Sequence, residues 1–357
     1  MRISEAKHCI MELYRNTDCV TALVSERGVG KTSAFQQCAC ELGIGYMGLY
    51  AAAMEGPDFM GLPDKDREKG ITRYLAPQFL PTCNAVQEGL FPENGLLVLE
   101  EINRVPTDTV SVLYPLLLER KINGHSLSPG WKIGVTMNPD TMNYAVNSLD
   151  DAMLDRFTTI EITANLEDYV AYSLQNDACD DVLAYLTACP DMLLRVKKAA
   201  DSTATAKSPT PRGWTRVQQL LNNCSLPQKL MQELISGILG PEAAASFFGY
   251  LKNREYVIPS ADKLLMDYEA VHTQFEQLVQ GGRLDLLSLV LQKTVSLLDG
   301  SDVQCININK MLDVLPEEFQ LLFFKTLAGE KSELFLEVAQ KTSVFEALSD
   351  QILNLLS

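Results

Sequence analysis

The chain has 357 residues, of which 46% are hydrophobic, so it is long enough for roughly two or three domains with a substantial core. Its formal net charge is −16 and no dense lysine and arginine block appears, which disfavours a nucleic-acid motor because an acidic surface repels a phosphate backbone. No apolar run reaches membrane-spanning length and residues 1–7 lack a signal-peptide core, so we expect no membrane insertion and a cytoplasmic location.

The first predicted element is a strand over Val20–Val24, followed by a glycine-rich loop that ends in Gly-Lys-Thr. Gly28 and Gly30 let successive N–H groups turn toward one anion, and a helix that begins near Thr32 adds its positive end. Lys31 supplies a positive charge for the β- and γ-phosphates, and the Thr32 hydroxyl is a ligand for Mg²⁺. The spacing predicts a nucleotide phosphate site; the alternative is a surface turn, since short motifs also occur by chance.

A loop or hairpin is predicted farther along the chain. Residues 58–63 and 70–77 contain several glycines and prolines, and Tyr74 lies among them. Glycine and proline at these positions are typical of a loop or hairpin.

The next strand prediction covers Gly95–Leu99, an apolar run that ends on Glu100 and Glu101. A buried parallel strand delivers such residues to its carboxyl edge, where α/β sheets bind ligands. Neighbouring side chains on a strand point in opposite directions. Glu100 is therefore a candidate for the Mg²⁺ shell and Glu101 a candidate for orienting and deprotonating water. The alternative is a buried strand followed by a solvated acidic turn.

Residues 119–127 carry an Asn123-Gly124 turn between two short extended arms, which predicts a hairpin. One hypothesis is that this hairpin and the loop around Tyr74 grip or signal to a substrate. The alternative is a pair of surface hairpins without a partner.

A further strand is predicted to end at Asn138, whose amide is a candidate to hold an attacking water opposite Glu101. Residues 149–157 then predict an acid-capped helix that exposes Arg156 just before a strand over 158–162. An arginine at this place is suited to stabilise charge on a transferring phosphoryl group. The alternative is that Arg156 is only a favourable cation at a helix end.

After Ile162 the pattern becomes helical. The predicted helices cover residues 165–173, 180–188, 191–200, 214–222, 227–239, 241–251, 261–280, 284–298, 308–327 and 332–356. The polar run over 201–208 is predicted to be a flexible connection.

Five motifs now stand in a recognisable order: Gly-Val-Gly-Lys-Thr at 28–32, Leu-Glu-Glu-Ile-Asn-Arg at 99–104, Thr-Met-Asn-Pro at 136–139, Leu-Asp-Arg-Phe at 154–157 and Ser-Pro-Thr-Pro-Arg at 208–212. Over about residues 19–251 this order resembles the MoxR-like, dynein-related branch of the AAA+ ATPases. The resemblance implies a P-loop AAA+ α/β domain with a parallel five-stranded sheet in 1–163 and a helical lid in 164–258. Residues 259–357 are then an all-α C-terminal extension of unknown role.

The resemblance also implies roles for individual residues. Nucleotide-binding residues would be Gly28, Val29, Gly30, Lys31, Thr32, Ser33 and Arg212, with Lys31 and Thr32 in Walker A and Arg212 as sensor 2. Thr32 and Glu100 would hold the metal, and Glu101, Asn138 and Arg156 would be catalytic, as the Walker B base, sensor 1 and an arginine finger presented to a neighbouring subunit. Two positions depart from the pattern, because Ser25 replaces the usual leading glycine and Glu100 replaces the usual aspartate.

The function implied by the resemblance is Mg²⁺-dependent hydrolysis of ATP to ADP and phosphate, coupled to the remodelling or activation of a partner protein. The expected assembly is a homo-hexameric ring, with a protein client or a von Willebrand factor A-domain protein as partner. Two alternatives remain: a nucleic-acid translocase, whose pore can be basic inside an acidic exterior, and a weakly hydrolysing, nucleotide-gated assembly scaffold.

Overall fold

The structure is a computed structural model that describes residues 1–139, 147, 149–196, 207–254, 256–345, 348 and 351. The chain forms two compact units. The first comprises Met1–Asp168 and Leu194–Arg212, and the second comprises Tyr169–Leu193 and Gly213–Ser357. Every strand among the described residues belongs to the first unit.

The strands are β1 Val20–Val24, β2 Gly45–Tyr50, β3 Leu62–Asp66, β4 Ile71–Leu75, β5 Gly95–Glu100, β6 Lys121–Ile122, β7 His125–Ser126, β8 Trp131–Met137 and β9 Phe157–Glu161. The helices of the amino-terminal half are α1 Ile3–Asn16, α2 Lys31–Leu42, α3 Gly56–Met60, α4 Cys83–Gln87, α5 Thr107–Glu119, α6 Asp151–Leu154 and α7 Leu166–Leu174. The later helices are α8 Asp180–Ala188, α9 Pro211–Asn223, α10 Gln228–Leu239, α11 Pro241–Asn253, α12 Ala261–Met266, α13 His272–Gln280, α14 Leu284–Leu297, α15 Asp302–Val314, α16 Glu317–Glu330 and α17 Ser332–Gln340.

Five strands form one parallel sheet in the order β2-β5-β8-β1-β9. The predicted α/β fold with a parallel five-stranded sheet is confirmed. Because all five strands run the same way, their carboxyl ends meet at one edge. The register places Tyr50 opposite Glu100 and Val24 opposite Met137 at that edge.

Both faces of the sheet are buried. Along β5, Leu97 and Leu99 belong to one apolar cluster, and Leu96 and Val98 belong to another. This alternation follows from the two-residue period of a strand. A strand buried on both sides needs a continuous apolar run, which is the pattern that predicted β5.

Two small antiparallel hairpins accompany the main sheet. β3 pairs with β4, and β6 pairs with β7. The second hairpin turns at Asn123 and Gly124, whose φ values of 45° and 84° match the left-handed turn that Asn-Gly favours. The hairpin predicted at Asn123-Gly124 is thus confirmed, and the stretch predicted as a loop or hairpin forms a hairpin.

The second unit is helical in the part that the structure describes. Its core contains Tyr185, Trp214 and Phe247, whose ring centroids lie 5.3–5.7 Å apart. A buried glutamine, Gln218, bonds the Tyr169 hydroxyl at 2.8 Å. No described helix is long and apolar enough to cross a bilayer.

Some predicted helices were wrong in detail. The helix predicted over 261–280 is broken at Asp267, whose ψ of 75° is not helical, and the one predicted over 308–327 is interrupted before α16 by Pro316. No α-helix covers 191–196, where the Arg195 N–H instead donates to the Pro209 carbonyl at 3.1 Å. Residues 197–206 and most of 346–356 lie outside the described residues. Helices α1 and α5 were not predicted.

Candidate active site

The loop between β1 and α2 has the backbone that its glycines were expected to provide. Gly28 and Gly30 have φ values of 74° and 123°, a region that residues with a Cβ rarely adopt. A Cβ at Gly28 would also lie 3.0 Å from the Thr210 hydroxyl oxygen. The Arg212 N–H donates to the Gly28 carbonyl at 3.1 Å, so the loop is fixed against the start of α9.

Within the described residues, the backbone N–H groups from Gly28 to Ser33 donate no hydrogen bond, and the first donor is the Ala34 N–H. Unpaired donors at the start of a helix bind an anion readily. The Val29 side chain packs in the apolar core and the Ser33 side chain is exposed. Val29 and Ser33 are therefore expected to contact a phosphate through their backbone N–H groups.

Lys31 is the first residue of α2, and its side chain is only 9% exposed. Its Nζ donates to the Ser25 carbonyl at 2.8 Å and to Asn138 Oδ1 at 3.1 Å. Burial lowers the pKa of Lys31 to about 8; Glu101 acts in the opposite direction, and the positive charge of Arg212 lowers the pKa further. Lys31, Glu101 and Arg212 therefore lie within electrostatic range of one another.

Thr32 and Glu100 meet directly. The Thr32 hydroxyl donates to Glu100 Oε2 at 2.9 Å. Adjacent oxygen ligands of an octahedral Mg²⁺ lie about 2.9 Å apart, given metal–oxygen bonds of about 2.0–2.1 Å. The chemistry and the spacing of this oxygen pair thus fit a Mg²⁺ ion.

Glu101 follows β5 in a left-handed conformation, with φ 53° and ψ 45°, which turns its side chain away from the direction of the strand. Its Oε2 accepts the Tyr50 hydroxyl at 3.1 Å and Arg104 at 2.7 Å. Burial by itself raises the pKa of Glu101, but hydrogen bonds from Arg104 and Tyr50, the Arg104 charge and the Asn138 amide together hold it below its ordinary value. Glu101 therefore stays ionised at neutral pH.

Asn138 follows β8 and is 4% exposed. Its side chain contacts Lys31, and its backbone is bonded twice by the side chain of Asn103, with Asn103 Nδ2 donating to its carbonyl at 2.7 Å and its own N–H donating to Asn103 Oδ1 at 3.2 Å. The amide is thus held beside both the Lys31 ammonium and the Glu101 carboxylate.

Arg156 is not part of this cluster. Its side chain is exposed on the turn after α6, the helix that Asp150 caps by accepting the Met153 N–H at 2.8 Å. No ion pair to Arg156 occurs among the described residues. The Arg212 side chain is exposed at the start of α9, while its backbone contacts Gly28.

Sequence reasoning missed three residues that organise the site. Tyr50 ends β2, whose apolar residues are interrupted by two glycines and were not recognised as a strand. Asn103 and Arg104 lie in the motif after Glu101 but received no role. The i, i+3 spacing of Glu101 and Arg104 was a readable signal for an ion pair in one turn.

No model of a known protein family matches the sequence, and no curated protein matches it either. Among solved structures, the chain is similar to a provisionally assigned ATPase from Cytophaga hutchinsonii, with 14% identity over 71% of this chain and 89% of that one and a TM-score of 0.34. It is similar to RuvB, the Holliday junction branch migration motor of Thermotoga maritima, with 14% identity, 79% and 76% coverage and a TM-score of 0.36. It is also similar to NtrX from Brucella abortus, with 11% identity, 80% and 67% coverage and a TM-score of 0.37.

At these scores the likeness carries no inference about activity. What the chain itself presents is an α/β unit in which a glycine-rich loop, a buried lysine and two carboxylates converge at the carboxyl edge of a parallel sheet.

Proposed function

We propose that the chain is an AAA+ ATPase of the MoxR-like type, which binds ATP with Mg²⁺ in its first unit and hydrolyses it to ADP and phosphate. The observation that carries the proposal is the cluster of Lys31, Thr32, Glu100 and Asn138, in which Lys31 and Asn138 are buried, beside unpaired backbone amides of the glycine-rich loop. A surface turn has no reason to bury a lysine against an asparagine from another strand, because burying an ammonium group is costly unless its charge is used.

The loop and Lys31 bind the phosphates in this proposal. A phosphate oxygen takes the place of the Ser25 carbonyl at Lys31 Nζ, which now lies 2.8 Å from it. The amides from Gly28 to Ser33 donate to the remaining oxygens. Arg212 adds a second positive charge to the same region.

Thr32 and Glu100 would hold the metal through their oxygens. When bound, Mg²⁺ neutralises charge on the β- and γ-phosphates. The other five residues of β5 are buried, so the backbone that carries the Glu100 carboxylate is held in place.

Glu101 is assigned the proton transfer. Tyr50 and Arg104 both donate to Oε2, so Oε1 is the oxygen that we assign to accept a proton from water. The water oxygen attacks the γ-phosphorus, the bond to the bridging oxygen breaks, and ADP leaves with that electron pair. Asn138 holds the water from the other side.

We also propose an assembly and a partner for the chain. Arg156 is exposed, as a residue offered to a neighbouring subunit must be, so we propose a ring in which it completes the site of the next chain. We further propose that the ring, a hexamer, remodels or activates a protein client, with a von Willebrand factor A-domain protein as the first partner to try. The hairpins β3–β4 and β6–β7 are the proposed contacts with that client.

The test is ATP affinity and steady-state phosphate release for the purified chain and for Lys31→Ala. Loss of a charge-assisted hydrogen bond should weaken ATP binding at least about tenfold, whereas Lys325→Ala, an exposed lysine of α16, should change nothing. A chain that binds no ATP refutes the proposal. Binding without turnover identifies a scaffold, and strong stimulation by DNA or RNA at moderate salt identifies a translocase.

A further inference from the structure

Asn103 lies in the short turn Ile102–Arg104 directly after Glu101, and it is 6% exposed. Both polar atoms of its amide bond the backbone of a single residue, Asn138. Nδ2 donates to the Asn138 carbonyl at 2.7 Å, and Oδ1 accepts the Asn138 N–H at 3.2 Å.

These two hydrogen bonds take the place of the pairing that a neighbouring strand would give the backbone of Asn138. The ladder between β5 and β8 ends with Leu99 opposite Val135, and the ladder between β1 and β8 ends at Met137. Asn138 therefore lies one residue beyond Met137, the last residue of β8 that pairs with a neighbouring strand. Its buried backbone N–H and carbonyl groups still need hydrogen-bond partners. A side-chain amide carries the same donor and acceptor as a peptide, so Asn103 supplies what a neighbouring strand would have supplied.

The turn that carries Asn103 is itself anchored on both sides. The Glu101 N–H donates to the Thr136 hydroxyl at 3.0 Å. On the other side, the Asn147 N–H donates to the Asn103 carbonyl at 2.7 Å, and the Asn147 side chain donates to the Val105 carbonyl at 2.8 Å. The turn that positions Asn103 against Asn138 is therefore itself held in place by hydrogen bonds on both sides.

We propose that Asn103 is a positioning residue for ATP hydrolysis, which fixes the Asn138 amide between Lys31 and Glu101 by clamping the Asn138 backbone. This inference rests on the proposed function for its effect on turnover. A backbone held at both its donor and its acceptor fixes the direction of the Cα–Cβ bond of Asn138, and the 3.1 Å contact with Lys31 then fixes the amide. Without the clamp, Asn138 no longer presents its amide to a water beside Glu101.

The amide of Asn103 is chemically specific. An alanine leaves the Asn138 N–H and carbonyl buried without partners. An aspartate has the same size and still accepts the N–H, but when ionised it opposes the carbonyl oxygen of Asn138 with a negative oxygen. Asn103→Ala therefore removes both hydrogen bonds of the clamp, whereas Asn103→Asp removes the one to the Asn138 carbonyl and preserves the packing if Ala fails to fold.

The experiment has two readouts, on the full chain. The first is amide hydrogen exchange at Asn138 without nucleotide: we expect Asn103→Ala to speed it at least about tenfold, because that N–H loses its acceptor. The matched control is Gln218→Leu, which removes another buried amide, 2% exposed, in the second unit and should leave exchange at Asn138 unchanged.

The second readout is a double-mutant cycle on kcat with Asn138→Ala. Misplacement of a catalytic group typically costs about ten- to a hundredfold, so we expect a loss in this range for either Asn103 variant with little change in KM. On the Asn138→Ala background, Asn103→Ala should cost less than about twofold more, because both changes remove one function.

Unchanged exchange at Asn138 overturns the clamp whether or not the chain hydrolyses ATP. Fully additive losses in kcat overturn the role in hydrolysis, since Asn103 would then act independently of Asn138. A wild-type chain without ATP turnover refutes the proposed function, and the role of Asn103 in hydrolysis is refuted with it.

Discussion

ATP binding at Lys31 is expected to take up a proton near pH 8. Burial lowers the pKa of this lysine to about 8 in the nucleotide-free chain, with Arg212 also lowering it and Glu101 and Glu26 raising it. Several phosphate charges placed against the ammonium favour its protonated form and raise the pKa again. The free chain then loses its proton at a pH where the complex keeps it.

The size of the effect follows from this difference. At pH 7 about nine-tenths of the free chain carries the proton on Lys31, but at pH 9 only about one-tenth does. The Kd for ATP should therefore rise about tenfold from pH 7 to pH 9, or about 1.4 kcal/mol. Lys31→Arg keeps its charge throughout, so its Kd, although higher, should stay nearly flat over this range.

Isothermal titration calorimetry at pH 9 in two buffers with different ionisation enthalpies measures the proton directly. We expect about 0.9 protons taken up per ATP bound by the wild type and almost none by Lys31→Arg. Equal heats in both buffers, with the same Kd at pH 7 and pH 9, would show that Lys31 stays charged in the free chain. The same shift should make the nucleotide-free chain more stable as pH rises from about 8 to 10.5, since the unfolded chain binds more protons there.

Three further predictions concern neighbouring parts of the site. Glu101→Gln should keep ATP bound but slow single-turnover hydrolysis at least about a hundredfold, and normal hydrolysis would exclude Glu101 as the base. A mixture of equal amounts of Arg156→Ala and Glu101→Gln chains should recover roughly a quarter of the wild-type interfaces if Arg156 acts across a symmetric ring; a co-assembled mixture as inactive as its parents refutes that assignment. Gly28→Ala should weaken ATP binding and cost on the order of 1–2 kcal/mol of unfolding free energy from its positive φ alone, whereas Gly43→Ala, at φ 64° with no atom within 4 Å of its Cβ, should cost stability without changing ATP affinity.

A strand of the sheet could be predicted where its own residues form an apolar run. β5 is apolar from Gly95 to Leu99 because both of its faces are buried there, so local pattern was enough. β2 is rich in apolar residues but contains Gly45 and Gly48, and glycine disfavours a strand interior, so the segment was not recognised. Its contribution of Tyr50 to Glu101 depends on pairing across the sheet, which local sequence does not encode.

In the helical half of the chain, apolar spacing alone did not locate every helix boundary. Apolar spacing continues across Asp267, so periodicity predicted one helix where the backbone turns between α12 and α13. Pro316 was a better warning, because the residue before a proline avoids helical backbone angles, and Leu315 is indeed extended at ψ 142°. A proline outweighs periodicity when the two disagree.

Ser25 does not need to be glycine in this chain. It is absent from the residues with positive φ, unlike Gly28 and Gly30. Its hydroxyl donates to the Glu26 carbonyl at 3.0 Å, and its own carbonyl accepts Lys31 at 2.8 Å. Lys31 Nζ also donates to the Ser25 hydroxyl oxygen at 3.4 Å, a contact that glycine would lack. The shorter contact goes to the backbone carbonyl, which any residue provides, so the departure at Ser25 keeps the main contact of Lys31 with the glycine-rich loop.

Glu100→Asp is expected to leave hydrolysis intact or to increase it. The Glu100 carboxylate now reaches the Thr32 hydroxyl directly, at 2.9 Å. Removing one methylene draws the carboxylate back by about one carbon–carbon bond, which opens that gap to roughly 4.4 Å, a distance that one water spans with two hydrogen bonds. If the shorter carboxylate reached Mg²⁺ through one water instead of directly, it would still supply its negative charge there, so we expect the change to be tolerated. Single-turnover rates at saturating Mg²⁺ test this, with Glu101→Asp as the matched control, because shortening the proposed base should lower the rate sharply. If Glu100→Asp falls as far as Glu101→Asp, the direct contact with Thr32 is required and the longer side chain is an adaptation of this site rather than a tolerated departure.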